Sequence, residues 1–143
     1  MWCLRWFYGK VTQMRHAIAQ IETNDLSLDV ARSPVQSIAG DLQDVLTQKL
    51  TAYIVGLSDG RDIGRYVRGE RKPHPGTNIK LRDLYSLVSD FLKAEDPETI
   101  QVWFLGRNPE LEHNSPANVL HAGFMENYLR VRGAMDKFLE NGG

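Results

Sequence analysis

From Ile79 to Lys93 the apolar residues fall at Ile79, Leu81, Leu84, Leu87, Val88, Phe91 and Leu92. Such spacing builds one broad apolar face on an α-helix and none on a strand. The same rhythm continues on both sides. Val35, Ile38, Leu42, Val45 and Leu46 make a one-sided stripe of about three turns. Leu50, Tyr53, Ile54 and Leu57 make a shorter helix, and Ile63 and Val67 face inward from a helix over Arg61 to Arg68. A helix opened by Asp96-Pro97-Glu98 carries Ile100, Trp103 and Phe104 and ends near Gly106. Ser115-Pro116 starts a short one through Leu120, stopped by Gly123. Phe124, Tyr128, Val131, Met135, Phe138 and Leu139 give a last helix of about four turns. Strand alternation is absent from all of this, so the sequence specifies an all-α fold.

Punctuation between these stretches sets the boundaries. Ser33-Pro34 reads as an N-cap with proline at the first helical position, and Ser58-Asp59-Gly60 as a tight turn. Gly69 ends a helix, and Lys72-Pro73-His74-Pro75-Gly76 is expected to be non-helical. Glycines at 142 and 143 leave the tail frayed. Residues 1–34 are less legible. Val11, Met14, Ile18 and Ile21 have helical spacing, but Thr23-Asn24-Asp25 breaks it, so this extension is open to a helical or a disordered reading. Residues 35–95 and 96–143 then form two further segments.

A chain of 143 residues, 42% of them hydrophobic, buries a sufficient core without a metal or disulfide staple. Cys3 is the single cysteine, so no intrachain disulfide forms and a reducing compartment is expected. No apolar run approaches the ~20 residues of a membrane span. The opening Met1-Trp2-Cys3-Leu4-Arg5-Trp6-Phe7-Tyr8 has Arg5 in its middle and no small-residue cleavage site after it, which makes a poor signal peptide. A cytoplasmic protein is the expectation.

Enzyme chemistry has little to rest on. His16, His74, His113 and His121 match no compact metal-ligand spacing. Glu110 and Glu112 flank Leu111 as solvated loop carboxylates rather than an acid/base pair. There is no nucleophile triad, P-loop or dinucleotide fingerprint. Neither a catalytic residue, a metal nor a cofactor is expected.

Charge is more informative than chemistry. Net charge is −1, but it is unevenly spread. Residues 61–82 hold seven Lys/Arg against two Asp/Glu, whereas residues 83–143 hold five against ten. A basic island in a near-neutral protein points to a local anionic partner, nucleic acid first; the alternative is a solvated helix face. Two short helices, Leu50–Leu57 and Arg61–Arg68, joined by Ser58-Asp59-Gly60, have the proportions of a helix-turn-helix. Its second helix would present Arg61, Arg65 and Arg68 to base edges, while Arg71, Lys72 and Lys80 hold phosphates. Asp62, on the same side, is an alternative partner for Arg65 or Arg68. Gly64 and Gly56 weaken these helices, permitting close packing or marking a degenerate domain.

The stretch S-D-G-R-D-I-G-R-Y-V-R-G-E-R-K-P from Ser58 to Pro73 resembles the Xre-type helix-turn-helix, with Ile63, Tyr66, Gly69 and Pro73 at the inward, aromatic and G-x-x-x-P positions. V-W-F-L-G-R-N-P-E-L-E-H-N-S-P-A-N-V-L-H-A-G-F, from Val102 to Phe124, resembles the toxin-binding domain of Xre/MbcA/ParS-type antitoxins. The family positions fall on Trp103, Asn108, Leu111, Pro116, Leu120 and Gly123, and the whole resemblance covers about residues 35–140. It implies a DNA-binding bundle over 35–95 continuous with a small helical toxin-binding domain over 96–143.

Most of the six positions are expected to build a miniature core, with Leu111 tucked beneath Trp103 and Gly123 letting the chain reverse. Partner contact then falls on exposed residues nearby. In the family the partner is a RES-domain toxin that degrades NAD, whose cleft the antitoxin covers. What this implies here is an acidic tail, Asp136, Glu140 and the Gly143 carboxylate, drawn to an electropositive cleft, with Arg130 and Arg132 on the toxin rim. Truncation after Arg132 would then remove the plug alone. Two function classes stand: an antitoxin that also represses its own operon as a homodimer or a hetero-oligomer with toxin, and a stand-alone, phage-derived repressor without a toxin.

Overall fold

The computed structural model describes residues 34–142. The helical turns expected between Val11 and Ile21, the Ser33 cap, Cys3, His16 and Gly143 lie outside them. The described chain is all-helical: α1 (Val35–Leu46), α2 (Gln48–Val55), α3 (Arg61–Val67), α4 (Pro75–Leu92), α5 (Pro97–Leu105), a 3-10 turn (Pro109–Leu111), α6 (Pro116–Ala122) and α7 (Phe124–Glu140).

The starts of α2, α5 and α6 follow from a side chain that satisfies an orphan backbone donor. Thr47 accepts from the Leu50 amide at 3.3 Å, Asp96 from Thr99 at 2.7 Å, and Ser115 from Asn118 at 3.1 Å. Proline occupies the first turn of α4, α5 and α6, where its missing N–H leaves nothing unsatisfied. α4 therefore begins at Pro75, four residues before the start read from Ile79. Pro75 and Gly76, expected outside any helix, lie inside it. Ile79 is also not part of the buried face. It is 51% exposed, because two residues before Leu81 on a helix is the opposite side.

α2 ends at Val55, two residues early. Gly56 adopts a left-handed conformation, φ 84°, and the Leu57 amide closes onto the Ala52 carbonyl at 2.8 Å. Gly56 thus terminates the helix rather than weakening it. Gly69 has φ 72°, and a Cβ there would collide with the Gln36 side-chain amide. Both glycines meet a backbone requirement other residues satisfy poorly.

α1 lies at the centre, packed on α2, α3, α4 and α5. Its Ile38, Leu42, Val45 and Leu46 are buried against Ile63 and Tyr66 of α3, Leu81, Leu84, Leu87 and Val88 of α4 and Ile100 of α5 as one core. Burial of each large aliphatic side chain contributes about 1.5–3 kcal/mol. α2 rests on α6, and α4 on α7. Residues on both sides of position 95 therefore belong to one compact unit that begins at Val35. Gln101 of α5 donates to the Val45 carbonyl of α1 at 2.6 Å, one polar tie across that boundary.

Among the described residues no helix is long and apolar enough to cross a membrane, and no group of three or more His, Cys, Asp or Glu is gathered to hold a metal.

Candidate functional site

Three surfaces carry the residues of interest. The first is the helix-turn-helix. α2 and α3 pack together and are joined by residues 56–60. Ile63 and Tyr66 are buried, holding α3 by its inner face, while Val67 is only half-buried. Gly64 is buried, and a Cβ on it would meet the Gln48 amide of α2 at 2.9 Å. Its service is close packing of α2 on α3.

The outer face is less cationic than its arginines suggest. Arg61 grips Asp59 with Nε at 3.1 and 3.2 Å and Nη2 at 3.0 Å. Those bonds hold the Asp59 carboxyl below its usual range and raise the Arg61 guanidinium. Asp62 takes Arg65 at 2.6 Å and Arg71 at 2.9 Å through one oxygen. Arg68 pairs with Glu70 at 2.9 Å, lowering that carboxyl. Asp62 thus serves Arg65 and Arg71, not Arg68. Lys72 is exposed, Lys80 is half-buried, and neither makes an ion pair among the described residues. Arg61, with an 80% exposed side chain, is the most accessible arginine of the group. Asp59 stands just outside the basic stretch 61–82, so that window overstated the local charge.

The second surface is the loop module between α5 and α7. Trp103 packs edge-on against Phe91 and Phe104, both at 5.1 Å between ring centres. Leu111 and Leu120 are fully buried, and Pro116 and Asn108 are buried beside them. Asn108 organises the loop. Its side chain accepts from the Glu110 amide at 3.0 Å, and its carbonyl accepts from Leu111 at 3.0 Å and His113 at 2.9 Å. Glu112 and His113 follow in left-handed conformations, φ 58° and 64°. The family-like positions therefore build the module, as expected. Gly123 is an exception in its reason. At φ −170° it is extended, a conformation open to any residue; a Cβ there would instead crowd the Glu126 carboxylate at 2.7 Å. The Asn127 amide closes the corner, donating to the Gly123 carbonyl at 2.8 Å and to Val119 at 3.2 Å. The Trp103 indole N–H is buried without a hydrogen-bond partner among the described residues.

The third surface is α7. Arg132 lies in the α4–α7 seam, bonded to Asp90 and to the Tyr128 hydroxyl at 3.2 Å, and is not free on a rim. Arg130 is exposed but pairs with Glu112 at 3.2 Å. Asp136 and Glu140 are exposed, whereas Lys137 pairs with Glu110 at 2.8 Å. Met135 is buried, and the Phe138 ring packs on Phe91 at 5.8 Å and Trp103 at 6.4 Å. Truncation after Arg132 would therefore strip core residues along with the tail.

Four exposed apolar side chains belong to neither the core nor the basic island. Val102 and Leu105 of α5 are 68% and 63% exposed, and Met125 and Leu129 of α7 are 54% and 78% exposed. Their spacings, three and four, were the available signal. Leu105 also borders a groove of about 480 Å³ lined by Leu50, Ala52, Tyr53 and Leu57.

The chain matches no protein-family model, no curated protein and no solved structure.

Proposed function

We propose that the chain is a non-catalytic antitoxin of the Xre/MbcA/ParS type, which binds and neutralises a RES-domain, NAD-degrading toxin. The observation that carries this reading is the set of four large apolar side chains, Val102, Leu105, Met125 and Leu129, left in solvent by α5 and α7. They lie as two pairs, one on α5 and one on α7, in and beside the stretch that resembles a toxin-binding domain, where an exposed apolar side chain is available to a protein partner. Around them the family-like residues serve the core, so the outer faces of the same helices remain available to a partner.

Repression of its own operon is part of the same proposal. Arg61, which opens α3, and Lys72, which follows it, support it: both are exposed, and operator DNA is the anionic partner such a helix would meet. Both activities belong in the cytoplasm.

Co-expression with the product of the adjacent gene tests the reading. A RES-domain product should co-purify with this chain, and its NAD-degrading activity should fall when the complex forms. A repressor without a toxin predicts no stable complex but salt-sensitive operator binding.

A further inference from the structure

The turn into α3 delivers a carboxylate to the first arginine of that helix. The Arg61 amide donates to Asp59 Oδ1 at 2.9 Å, which folds the Asp59 side chain back over the first turn. From there the carboxylate takes the guanidinium by one corner. Arg61 Nε donates to Oδ1 at 3.2 Å and to Oδ2 at 3.1 Å, and Nη2 lies 3.0 Å from Oδ2. A guanidinium donates from Nε and from both Nη groups. Nη1 of Arg61 makes no hydrogen bond among the described residues, and Nη2 needs only to leave its ion pair to join it.

The other arginines of the island are committed differently. Arg65 and Arg71 are held on the mostly covered Asp62. Arg68 forks Glu70 through Nε and Nη2, and its Nη1 is turned back over Gly64, where an added Cβ would stand 3.2 Å from it. Arg61 is therefore the arginine of α3 with outward donors to offer, and Asp59 is the group that decides what they meet.

We infer that Asp59 is a specificity-determining residue of the DNA-reading helix: it keeps Arg61 by Nε, leaves the Nη groups for guanine O6 and N7, and turns phosphates away from them. The inference rests on the operator arm of the proposed function and concerns the selection made there. A guanine edge presents two uncharged acceptors to a guanidinium. A phosphate seeks the same donors, but beside Nη2 it would meet a carboxylate of its own sign. Repulsion of the wrong partner separates two ligands as effectively as attraction of the right one. The same pairing neutralises Arg61 in advance, so it releases little counterion on a duplex that offers phosphates alone.

The experiment titrates full-length chain onto two labelled duplexes of equal length and follows anisotropy. One is the DNA directly upstream of its own coding sequence; the other is an alternating A·T duplex, which offers phosphates and no guanine. Asp59→Asn keeps an acceptor for the Arg61 amide and removes the charge, so the melting temperature should fall by no more than about 4 °C. At about 50 mM salt the variant should bind the A·T duplex about 10-fold more tightly and steepen its salt slope by about 1, while affinity for the upstream DNA changes less than about 3-fold. Glu98→Gln, the same change of charge on α5, should leave the ratio of the two affinities as in wild type. An unchanged ratio in Asp59→Asn, with equal gains on both duplexes or none, would overturn the inference and spare the operator reading. A matching fall of the ratio in Glu98→Gln would also overturn it, leaving net charge as the cause. Loss of affinity for both duplexes in Asp59→Asn would make Asp59 a mere support for Arg61 and overturn it again. Wild type that binds neither duplex, or both alike, would overturn the operator reading and this inference together.

Discussion

The ring of Tyr53 lies flat on the imidazole of His121, 4.0 Å between centres and 4° from parallel. His121 Nδ1–H donates to the Tyr53 carbonyl at 2.7 Å, and the Tyr53 hydroxyl donates to Asn118 Oδ1 at 2.7 Å. Three contacts thus join α2, the first helix of the helix-turn-helix, to α6 of the loop module. Aromatic stacking and a hydrogen bond each contribute about 0.5–1.5 kcal/mol, toward the lower end at an exposed site. His121→Ala should lower unfolding free energy by roughly 1–2 kcal/mol in urea titration. Tyr53→Phe, which keeps the stack, should lose under about 1 kcal/mol.

Thr47 joins α1 to α2 at φ 80°, ψ 159°, a region almost reserved for glycine. It is held there because its amide bonds Gln43 at 3.0 Å while its carbonyl receives Thr51 Oγ1 at 2.7 Å. A β-branched residue in this region stores about 1–3 kcal/mol. Replacing a threonine cap by glycine forfeits only a few tenths of a kcal/mol. Thr47→Gly should therefore stabilise the protein by about 1 kcal/mol, raising the melting temperature by roughly 4 °C in calorimetry.

How much of this was legible in the sequence depends on whether local rules decide the outcome. Asp96, Ser115 and their following prolines announced two helix starts because capping is a local backbone requirement. Trp103, Leu111 and Leu120, expected in a miniature core from the antitoxin-like motif, are buried. The stack of Tyr53 on His121 gave no signal, since it depends on how α2 meets α6. Met125 and Leu129 were overlooked for another reason. Periodicity groups apolar residues by face, but a second apolar face matters only when something outside the chain covers it. The basic island misled by its window: Asp59 precedes it by two residues, and pairing with Arg61 required the turn at Gly60 to bring them together.

Asp90 of α4 is held by Lys93 at 3.0 Å and by Arg132 of α7. Partial burial raises its carboxyl, but the hydrogen bonds from Lys93 and Arg132 outweigh that and leave it below the ordinary value. A carboxylate depressed in the folded state contributes its stabilisation above the unfolded pKa, about 3.9, and loses it as pH falls through the folded pKa. Asp90→Asn should lower stability at pH 7 and flatten the decline below pH 4. Chemical denaturation between pH 2 and 7 reads both; parallel curves for variant and wild type would show that the α4–α7 pair carries no linkage.

The arginine pairs on α3 lead to unequal effects on operator binding. Arg65 and Arg71 share Asp62, which is 14% exposed, so both are held against the protein. Arg61 has Asp59, 33% exposed, and its own side chain is 80% exposed, leaving it free to exchange that carboxylate for a guanine edge. Arg61→Ala should then weaken binding to operator by about 1–3 kcal/mol and relax its sequence preference. Arg65→Ala should do less to preference and more to stability, because it leaves the half-buried Asp62 with one partner fewer. Lys72 needs no such exchange. Lys72→Ala should weaken all sequences alike and lower the slope of log affinity against log salt by about 1. Anisotropy titrations on operator and scrambled duplex at several salt concentrations separate the three. If all three variants kept the wild-type slope and preference, α3 would be a packed helix whose charges balance one another, and the operator arm of the proposed function would fall.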